Sequence, residues 1–207
     1  MVGSEVLSQC LDDDRIASIL VIGRRSVGIQ HDKIVEIEHG NFLDFSAIKP
    51  VLPDIDICIY CLGVYQAQVS KQQFWEITVD YLQALIGTLE GINRDVRFCL
   101  FSAQGASTSE KSPIRFARAK GRAENLLLAS KLSQKFIFRP GFIMPGPNRK
   151  SPSLVERLFR PVYRLFPVLG IDAPDLAAVM LSVGINGADK TVFENRDLRV
   201  YVRAGNS

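Results

Sequence analysis

The chain has 207 residues, of which 47% are hydrophobic and 23% are charged, a composition typical of one globular domain with a sizeable core. The net charge of +3 is too small to favour nucleic acid as the main partner, and no stretch approaches the ~20 consecutive apolar residues that a membrane span needs. Acidic residues near the start argue against a signal peptide, so we expect a cytoplasmic protein with a single domain over residues 1–207.

Short apolar runs alternate with amphipathic segments along the chain. Five of the apolar runs are predicted to be buried strands, at 17–23, 33–40, 56–63, 96–103 and 135–141. Helices are predicted at 3–13, 71–91, 112–132, 154–166 and 173–185. Ser112 and Pro113 are the expected cap and first residue of the third of these helices. Residues 144–153 are predicted to be a loop, and 190–202 to be strand-like with a turn.

This alternation predicts a doubly wound α/β domain with a parallel sheet. Ligands of such sheets bind at the carboxyl ends of the strands, so residues there should line one rim. The chain opens on a helix, however, and the strand that should precede this helix would be the central one. We therefore expect a sheet missing its first strand, through either truncation at the amino end or a rebuilt sheet.

The four cysteines are predicted to be reduced and structural. Cys58 and Cys61 form a C-x-x-C pattern on a predicted strand. Residues three apart on a strand point to opposite faces, so one metal ion could not bind both. No histidine or second C-x-x-C pair completes a zinc site, and we expect no metal.

Eight stretches, in this order and spacing, resemble the short-chain dehydrogenase/reductase superfamily. They are VGSEVL, VIGRR, GNFLDF, CLGVYQ, FSAQGAS, FARAKGRAENLL, FRPGFIMPG and VFENRDLR. The likeness runs from Gly3 to about Arg199 and is greatest to the atypical, NAD(P)H-binding branch that includes Tat-interacting oxidoreductase-like proteins. The resemblance implies a Rossmann-like fold and a nicotinamide dinucleotide cofactor.

The resemblance also implies which residues meet the cofactor. Gly3 matches the last glycine of the family's phosphate loop, whose other two glycines would lie before Met1, so phosphate binding is in question. Arg24 and Arg25 replace the acid of NAD-binding relatives and suit the 2′-phosphate, which favours NADPH over NADH. The alternative for this pair is a solvated basic turn. The remaining matched positions are Asn41 and Phe42 near the adenine, Leu62 and Gly63 along the cofactor, and Pro140 and Gly141 over the nicotinamide.

The reactive set of the family is Ser, Tyr and Lys, with Tyr and Lys four residues apart. Ser102 matches the serine and Lys120 the lysine, which also holds the nicotinamide ribose. Phe116 matches the tyrosine and has no hydroxyl to give or take a proton. The alternative is that Phe116 merely packs and Lys120 is solvated. Tyr65, just past a strand, could replace the missing acid, although a packing role is favoured.

These residues predict an NADP(H)-binding protein with weak or no catalysis. The alternatives are an active NADPH-dependent reductase or epimerase on a small carbonyl or sugar-like substrate, and a truncated chain that binds no cofactor. A small-molecule substrate or a protein partner is compatible with the first prediction. Residues 144–190 are predicted to contribute a small cap over the cleft, rather than a membrane-surface segment.

Overall fold

The computed structural model describes residues 1–145 and 169–205. The strands are β1 (Ile19–Gly23), β2 (Ile34–Glu38), β3 (Ile57–Tyr60), β4 (Arg97–Phe101), β5 (Gln134–Arg139), β6 (Phe142–Met144), β7 (Gly170–Asp172) and β8 (Val192–Glu194). The helices are α1 (Val2–Asp12), α2 (Lys71–Trp75), α3 (Tyr81–Ile92), α4 (Arg115–Ala129), α5 (Ala173–Asn186) and α6 (Asn195–Gly205). A π-helical turn, Glu76–Asp80, joins α2 to α3, and short 3-10 turns span Ser46–Val51 and Gln66–Gln68.

The strands pair in parallel, which confirms the predicted α/β class. A four-stranded sheet has the order β3-β4-β5-β8, and the pairs β1-β2 and β6-β7 form separate two-stranded sheets. In the register of the large sheet, Cys99 of β4 lies between Ile59 and Phe136. The five predicted strands are all present, each shorter than its apolar run.

Two hydrophobic clusters lie on opposite faces of the sheets. One cluster is formed by residues of α1, α5 and α6 together with the strand residues Cys99, Phe136 and Phe138. The other cluster is formed by residues of α3 and α4 together with the strand residues Phe98, Leu100 and Ile137. Successive strand residues therefore enter different clusters, which is why the sequence shows continuous apolar runs instead of alternation.

The sheet is interrupted between β1 and β3. In the described residues, β1 pairs with β2 alone and β3 with β4 alone. Yet Ile19 of β1 and Ile59 of β3 pack on one cluster, while Leu20 and Tyr60 belong to the other. The two sheets therefore lie in one layer, and no strand of the described residues pairs with the inner edge of either sheet. The interruption falls where the sequence predicts the central strand to be missing.

Two sequence predictions about element ends are wrong. Helix α4 begins at Arg115 with Ile114 as its cap, because the hydroxyl of Ser112 accepts the Ile114 N–H and holds the chain in a turn. The last segment is strand only to Glu194 and then becomes α6. The carboxylate of Asp197 accepts the Glu194 N–H at this change of structure.

The predicted cap lies largely outside the described residues. Within 144–190, the described helix α5 packs into the core against α1. Pairing of β6 with β7 brings Phe142 beside Gly170, a contact that the sequence analysis did not predict. Of the helices in 1–145 and 169–205, none is both long and apolar enough to cross a bilayer.

A strand supplied to the interval between β1 and β3 should stabilise the protein. A Cβ atom on Gly3 would lie 3.3 Å from Cβ of Cys61, so α1 begins at the carboxyl end of β3. An apolar strand and short glycine turn fused before Met1 would thus run parallel to β3 and pair with both free edges. We expect a melting temperature several degrees higher, since each kcal/mol adds about 2–4 °C at this size. The control carries proline at the centre of the added strand, and equal melting of the two chains would contradict the expectation.

Candidate functional site

The carboxyl ends of β3, β4 and β5 form one rim, because these parallel strands are neighbours in the large sheet. Leu62 and Gly63 follow β3, Ser102 follows β4, and Pro140 and Gly141 follow β5. Gly3 approaches the same rim through its contact with Cys61. The structure thus brings together six of the residues that the sequence analysis selected, and the cleft at this rim is the candidate site.

Lys120 lies under this rim on α4. Its Nζ donates a hydrogen bond to the Phe101 carbonyl at 3.3 Å and lies 5.5 Å from the centroid of the Phe101 ring. Burial lowers the pKa of Lys120 to about 8, and the negative charge of Glu124 partly opposes this shift. The ammonium is therefore held in a partly apolar place where a hydrogen-bond acceptor from a ligand would be favourable.

Phe116 stands one turn before Lys120 and is half-buried. Its ring centroid lies 6.2 Å from that of Phe74, and it packs against the buried cluster of Phe74, Val79 and Ala119. The position that carries a phenol in the similar family therefore holds an apolar ring in a hydrophobic contact. Tyr65 lies just past β3 and is 67% exposed, so its hydroxyl faces solvent at the edge of the rim.

The hydroxyl of Ser102 is turned into the core. Ser102 is 1% exposed, and its Oγ donates a 2.5 Å hydrogen bond to Oε1 of Glu124. Glu124 itself is fully buried. In this arrangement the Ser102 hydroxyl is already engaged by a carboxylate, which is a strong acceptor. A ligand at the rim would have to compete with that bond.

The buried carboxylate belongs to a charge cluster that the sequence analysis missed. Arg139 Nη2 donates to Glu124 at 2.5 Å and its Nε at 3.0 Å, while Arg139 Nη1 donates to Glu194 at 2.7 Å. Hydrogen bonding to Glu124 is the main cause that raises the pKa of Arg139. The available signal was the position of Glu124, four residues after Lys120 on one helical face.

Arg24 and Arg25 directly follow β1 of the other sheet, and both are exposed. Within the described part of the chain, neither side chain has a hydrogen bond or an ion pair. Arg24 lies near Tyr81, where its positive charge opposes the rise in pKa that burial causes in the tyrosine. The turn itself, Gly-Arg-Arg-Ser, contains no acidic residue, and Glu36 of β2 accepts the Ser26 hydroxyl at 2.7 Å at its end. The pair is free to meet an anion.

Asn41 and Phe42 follow β2 and differ in their placement. Asn41 is exposed, and its Oδ1 accepts the Leu43 N–H at 3.2 Å. Phe42 is 4% exposed, and its ring stacks on Tyr81 at a centroid distance of 5.5 Å. The Phe42 ring therefore belongs to the core, and a ligand beside it would meet the backbone.

Gly141 is fixed by packing within the protein. Its N–H donates to Oδ1 of Asn195 at 2.9 Å, and a Cβ atom here would lie 2.3 Å from the carbonyl oxygen of Leu169. The preceding carbonyl of Pro140 accepts the Gln104 N–H at 2.8 Å. These bonds tie the end of β5 to α6 and to the loop after β4. Only glycine leaves room for the Leu169 carbonyl.

The cysteines are placed as predicted. Cys58 packs on the α3–α4 cluster and Cys61 on the α1–α5 cluster, so the C-x-x-C pair spans opposite faces. Burial raises the pKa of each of these two thiols to about 12. Among the residues that the structure describes, no group of histidine, cysteine and acidic side chains could hold a metal ion.

Comparison with known proteins gives structural matches alone. No protein-family model matches the sequence, and no curated protein sequence matches it significantly. The Bordetella bronchiseptica enzyme WbmG in complex with NAD superposes with a TM-score of 0.68 at 14% identity, covering 100% of this chain and 76% of WbmG. A UDP-N-acetylglucosamine 4-epimerase from Bacillus cereus gives 0.66 at 15% identity, covering 94% of this chain and 74% of the epimerase.

A third match is to YIR035C, a short-chain dehydrogenase/reductase of Saccharomyces cerevisiae. The TM-score is 0.69 at 12% identity, with 95% of this chain and 92% of the yeast chain covered. The chain has a short-chain dehydrogenase/reductase-like fold. The predicted Rossmann-like architecture is thereby confirmed.

Removing the buried carboxylate should strongly destabilise this fold. Glu124→Ala leaves the partly buried Arg139 guanidinium without its main partner, and breaking such a buried pair costs about 3–5 kcal/mol. Glu194→Ala removes the outer carboxylate, which is 40% exposed, and should cost no more than about 1 kcal/mol. Urea unfolding of both variants tests the difference. Equal destabilisation would show that burial of Glu124 does not decide the strength of the pair.

Proposed function

We propose that the protein binds NADP(H) as an atypical short-chain dehydrogenase/reductase of the Tat-interacting oxidoreductase-like branch, with weak or no catalysis. The observation that carries this proposal is that Phe116, which has no hydroxyl, and Lys120 stand four residues apart on one face of α4. The Lys120 ammonium donates a hydrogen bond at the rim, as contact with a ribose hydroxyl requires, while the Phe116 ring beside it has no proton to transfer. The Ser102 hydroxyl already donates a hydrogen bond to Glu124, which also supports weak or no catalysis.

The described residues fit the two ends of NADP(H), the 2′-phosphate and the nicotinamide ribose. At one end, Arg24 and Arg25 are exposed cations without partners in the described part, suited to a 2′-phosphate. At the other end, Lys120 can donate to the hydroxyls of the nicotinamide ribose. Between them, Gly63 has open space where a Cβ atom would stand. NADPH, when bound, would supply a hydride.

Proton transfer is the step that Phe116 cannot perform. A positioned acid or base typically contributes ~10²–10⁴ in rate, and phenylalanine contributes none of it. Lys120 has no phenol whose pKa it could lower, so its remaining role is to bind. We therefore infer cofactor binding without efficient turnover, consistent with a sensor of cofactor or a module that docks a protein partner.

The second candidate is an active reductase or epimerase on a small carbonyl or sugar-like substrate. Tyr65, exposed past β3, is the side chain that favours it, because a phenol near the rim could replace the missing acid. The matched epimerase from Bacillus cereus gives the same candidate a precedent on this fold. A third candidate, a chain that binds no cofactor, is separated from both by the binding measurements below.

Cofactor choice should depend on the two arginines. We expect calorimetry to give tighter binding of NADPH than of NADH, because Arg24 and Arg25 can pair with the 2′-phosphate and the turn that carries them contains no acid for a free 2′-hydroxyl. Changing both to alanine should weaken NADPH binding about 10-fold or more and leave NADH nearly unchanged. Arg15→Ala, which removes an exposed cation paired with Asp13, is the matched control. Equal affinity for the two cofactors in the parent would refute the preference.

Lys120 and Phe116 should separate binding from catalysis. Lys120→Ala should weaken NADPH binding about 10- to 100-fold, the effect of roughly 1.5–3 kcal/mol for a charged hydrogen bond. Parent affinity should also fall as the pH rises through about 8, when Lys120 loses its proton, and the alanine variant should lack this step. Phe116→Tyr should bind NADPH like the parent and gain slow reduction of small carbonyl compounds.

Two outcomes would contradict this assignment. If Lys120→Ala binds NADPH as well as the parent does, the lysine has no ribose to hold. If the parent already reduces carbonyl compounds quickly and Phe116→Tyr adds nothing, another acid serves the site. Tyr65→Phe would then identify that acid by abolishing the activity.

A further inference from the structure

A small cavity lies on α4 away from the Lys120 cleft. It has a volume of about 70 Å³ and lies between α2 and the first turns of α4. It is lined by Gln66, Lys71, Phe74, Trp75, Arg115, Arg118 and Ala119. Drug-sized and cofactor pockets are typically about 300–1,000 Å³, so this cavity can take only a small chemical group.

The rim of the cavity is cationic and lacks a counter-charge. Lys71, Arg115 and Arg118 contribute three positive charges, and no acidic residue from the described part of the chain lines the cavity. In the described residues, Lys71 and Arg115 have neither an ion pair nor a hydrogen bond. Arg122, farther along α4, pairs instead with Glu110 at 3.6 Å. The cavity thus concentrates uncompensated positive charge that a bound anion would neutralise.

The parts of the cavity are held in place by the fold. Phe74 and Ala119 are buried and form an apolar floor, while Trp75 is 40% exposed beside it. Arg118 Nη1 donates to the Ser112 carbonyl at 2.8 Å, which fixes its guanidinium near the start of α4. The side chain of Ser70 accepts the Gln73 N–H, so the turn that carries Lys71 is also fixed. The cationic side chains therefore lie around an apolar floor formed by Phe74 and Ala119.

The cavity and the Lys120 cleft occupy different faces of α4. At 3.6 residues per turn, Arg115, Arg118 and Ala119 group on one side, centred about 125° from Phe116 and Lys120. Phe74 connects the two places, because it lines the cavity and its ring meets that of Phe116 at 6.2 Å. An occupant here would not overlap the ribose contacts of Lys120.

We propose that this cavity is a second binding site, for a small organic oxyanion, either a carboxylate or a phosphate monoester, that carries a planar apolar group. The anionic group pairs with Lys71, Arg115 and Arg118, and the planar group rests against Trp75. Neutral molecules of the same shape lack the pairing, and inorganic anions lack the apolar contact. The site is independent of the NADP(H) proposal and needs no cofactor.

The chain provides its own reporter, since Trp75 is the one tryptophan in the sequence. The full chain without cofactor is titrated with phenyl phosphate, benzoate, inorganic phosphate and benzyl alcohol while the tryptophan emission is recorded. We expect saturable changes with phenyl phosphate and benzoate, and affinity at least 10-fold weaker for the inorganic anion and the neutral alcohol. The stronger of the two organic ligands distinguishes a phosphate site from a carboxylate site.

Variants decide whether the three cations are responsible. Lys71→Ala with Arg115→Ala should weaken the organic anions at least 10-fold. Arg122→Ala removes one exposed cation on the same helix outside the cavity and should change nothing. Equal losses in both variants, binding of benzyl alcohol as tight as that of benzoate, or no change in emission at millimolar ligand would each overturn the proposal. Circular dichroism confirms that the variants fold, which these exposed positions should permit.

Discussion

The carboxylate of Glu124 is the constraint on which the rest of the rim depends. An ionised carboxylate with no solvent exposure is costly unless charged and hydrogen-bonding partners surround it. Arg139 and Ser102 provide those partners, and Arg139 extends the contact to Glu194. One buried charge thereby joins α4 to the carboxyl ends of β4, β5 and β8. The other features of α4, from the Lys120 cleft to the cationic cavity, take their positions from this junction.

Much of the fold follows from local sequence because burial on both faces leaves a local pattern. A parallel strand between two helical layers must be apolar throughout, and all five such runs became strands. The pattern fails where tertiary contacts choose between similar propensities. The segment after Glu194 contains aromatic and β-branched residues that suit a strand, but burial of Leu198 on one face favours the helix α6. The π-helical turn at Glu76–Asp80 is likewise not predictable from the sequence, since its residues suit an ordinary helix.

The candidate site was only partly predictable, for a related reason. The four-residue spacing of Phe116 and Lys120 fixes their common face, and the end of β4 fixes the carbonyl that Lys120 meets. The partner of Ser102 lies 22 residues away on another element, so no local pattern indicates it. The same holds for Phe42, whose identity does not say whether its ring faces a ligand or the core. Tertiary packing decides in which layer a side chain is buried, and short stretches of sequence do not predict that packing.

The interrupted sheet has a consequence for how the protein opens. Among the strands that the structure describes, β1 pairs with β2 alone, whereas β4 and β5 have a strand on each side. Two-stranded units are marginally stable and rely on packing for the rest. Amide hydrogens of β1 and β2 should therefore exchange with solvent through local openings, well before those of β4 and β5, which require global unfolding. Arg24 and Arg25, at the end of β1, belong to the faster-exchanging unit, while Lys120 is attached to the slower one. A ligand that spanned both would slow exchange in β1 and β2 most, and would join two cooperative units into one.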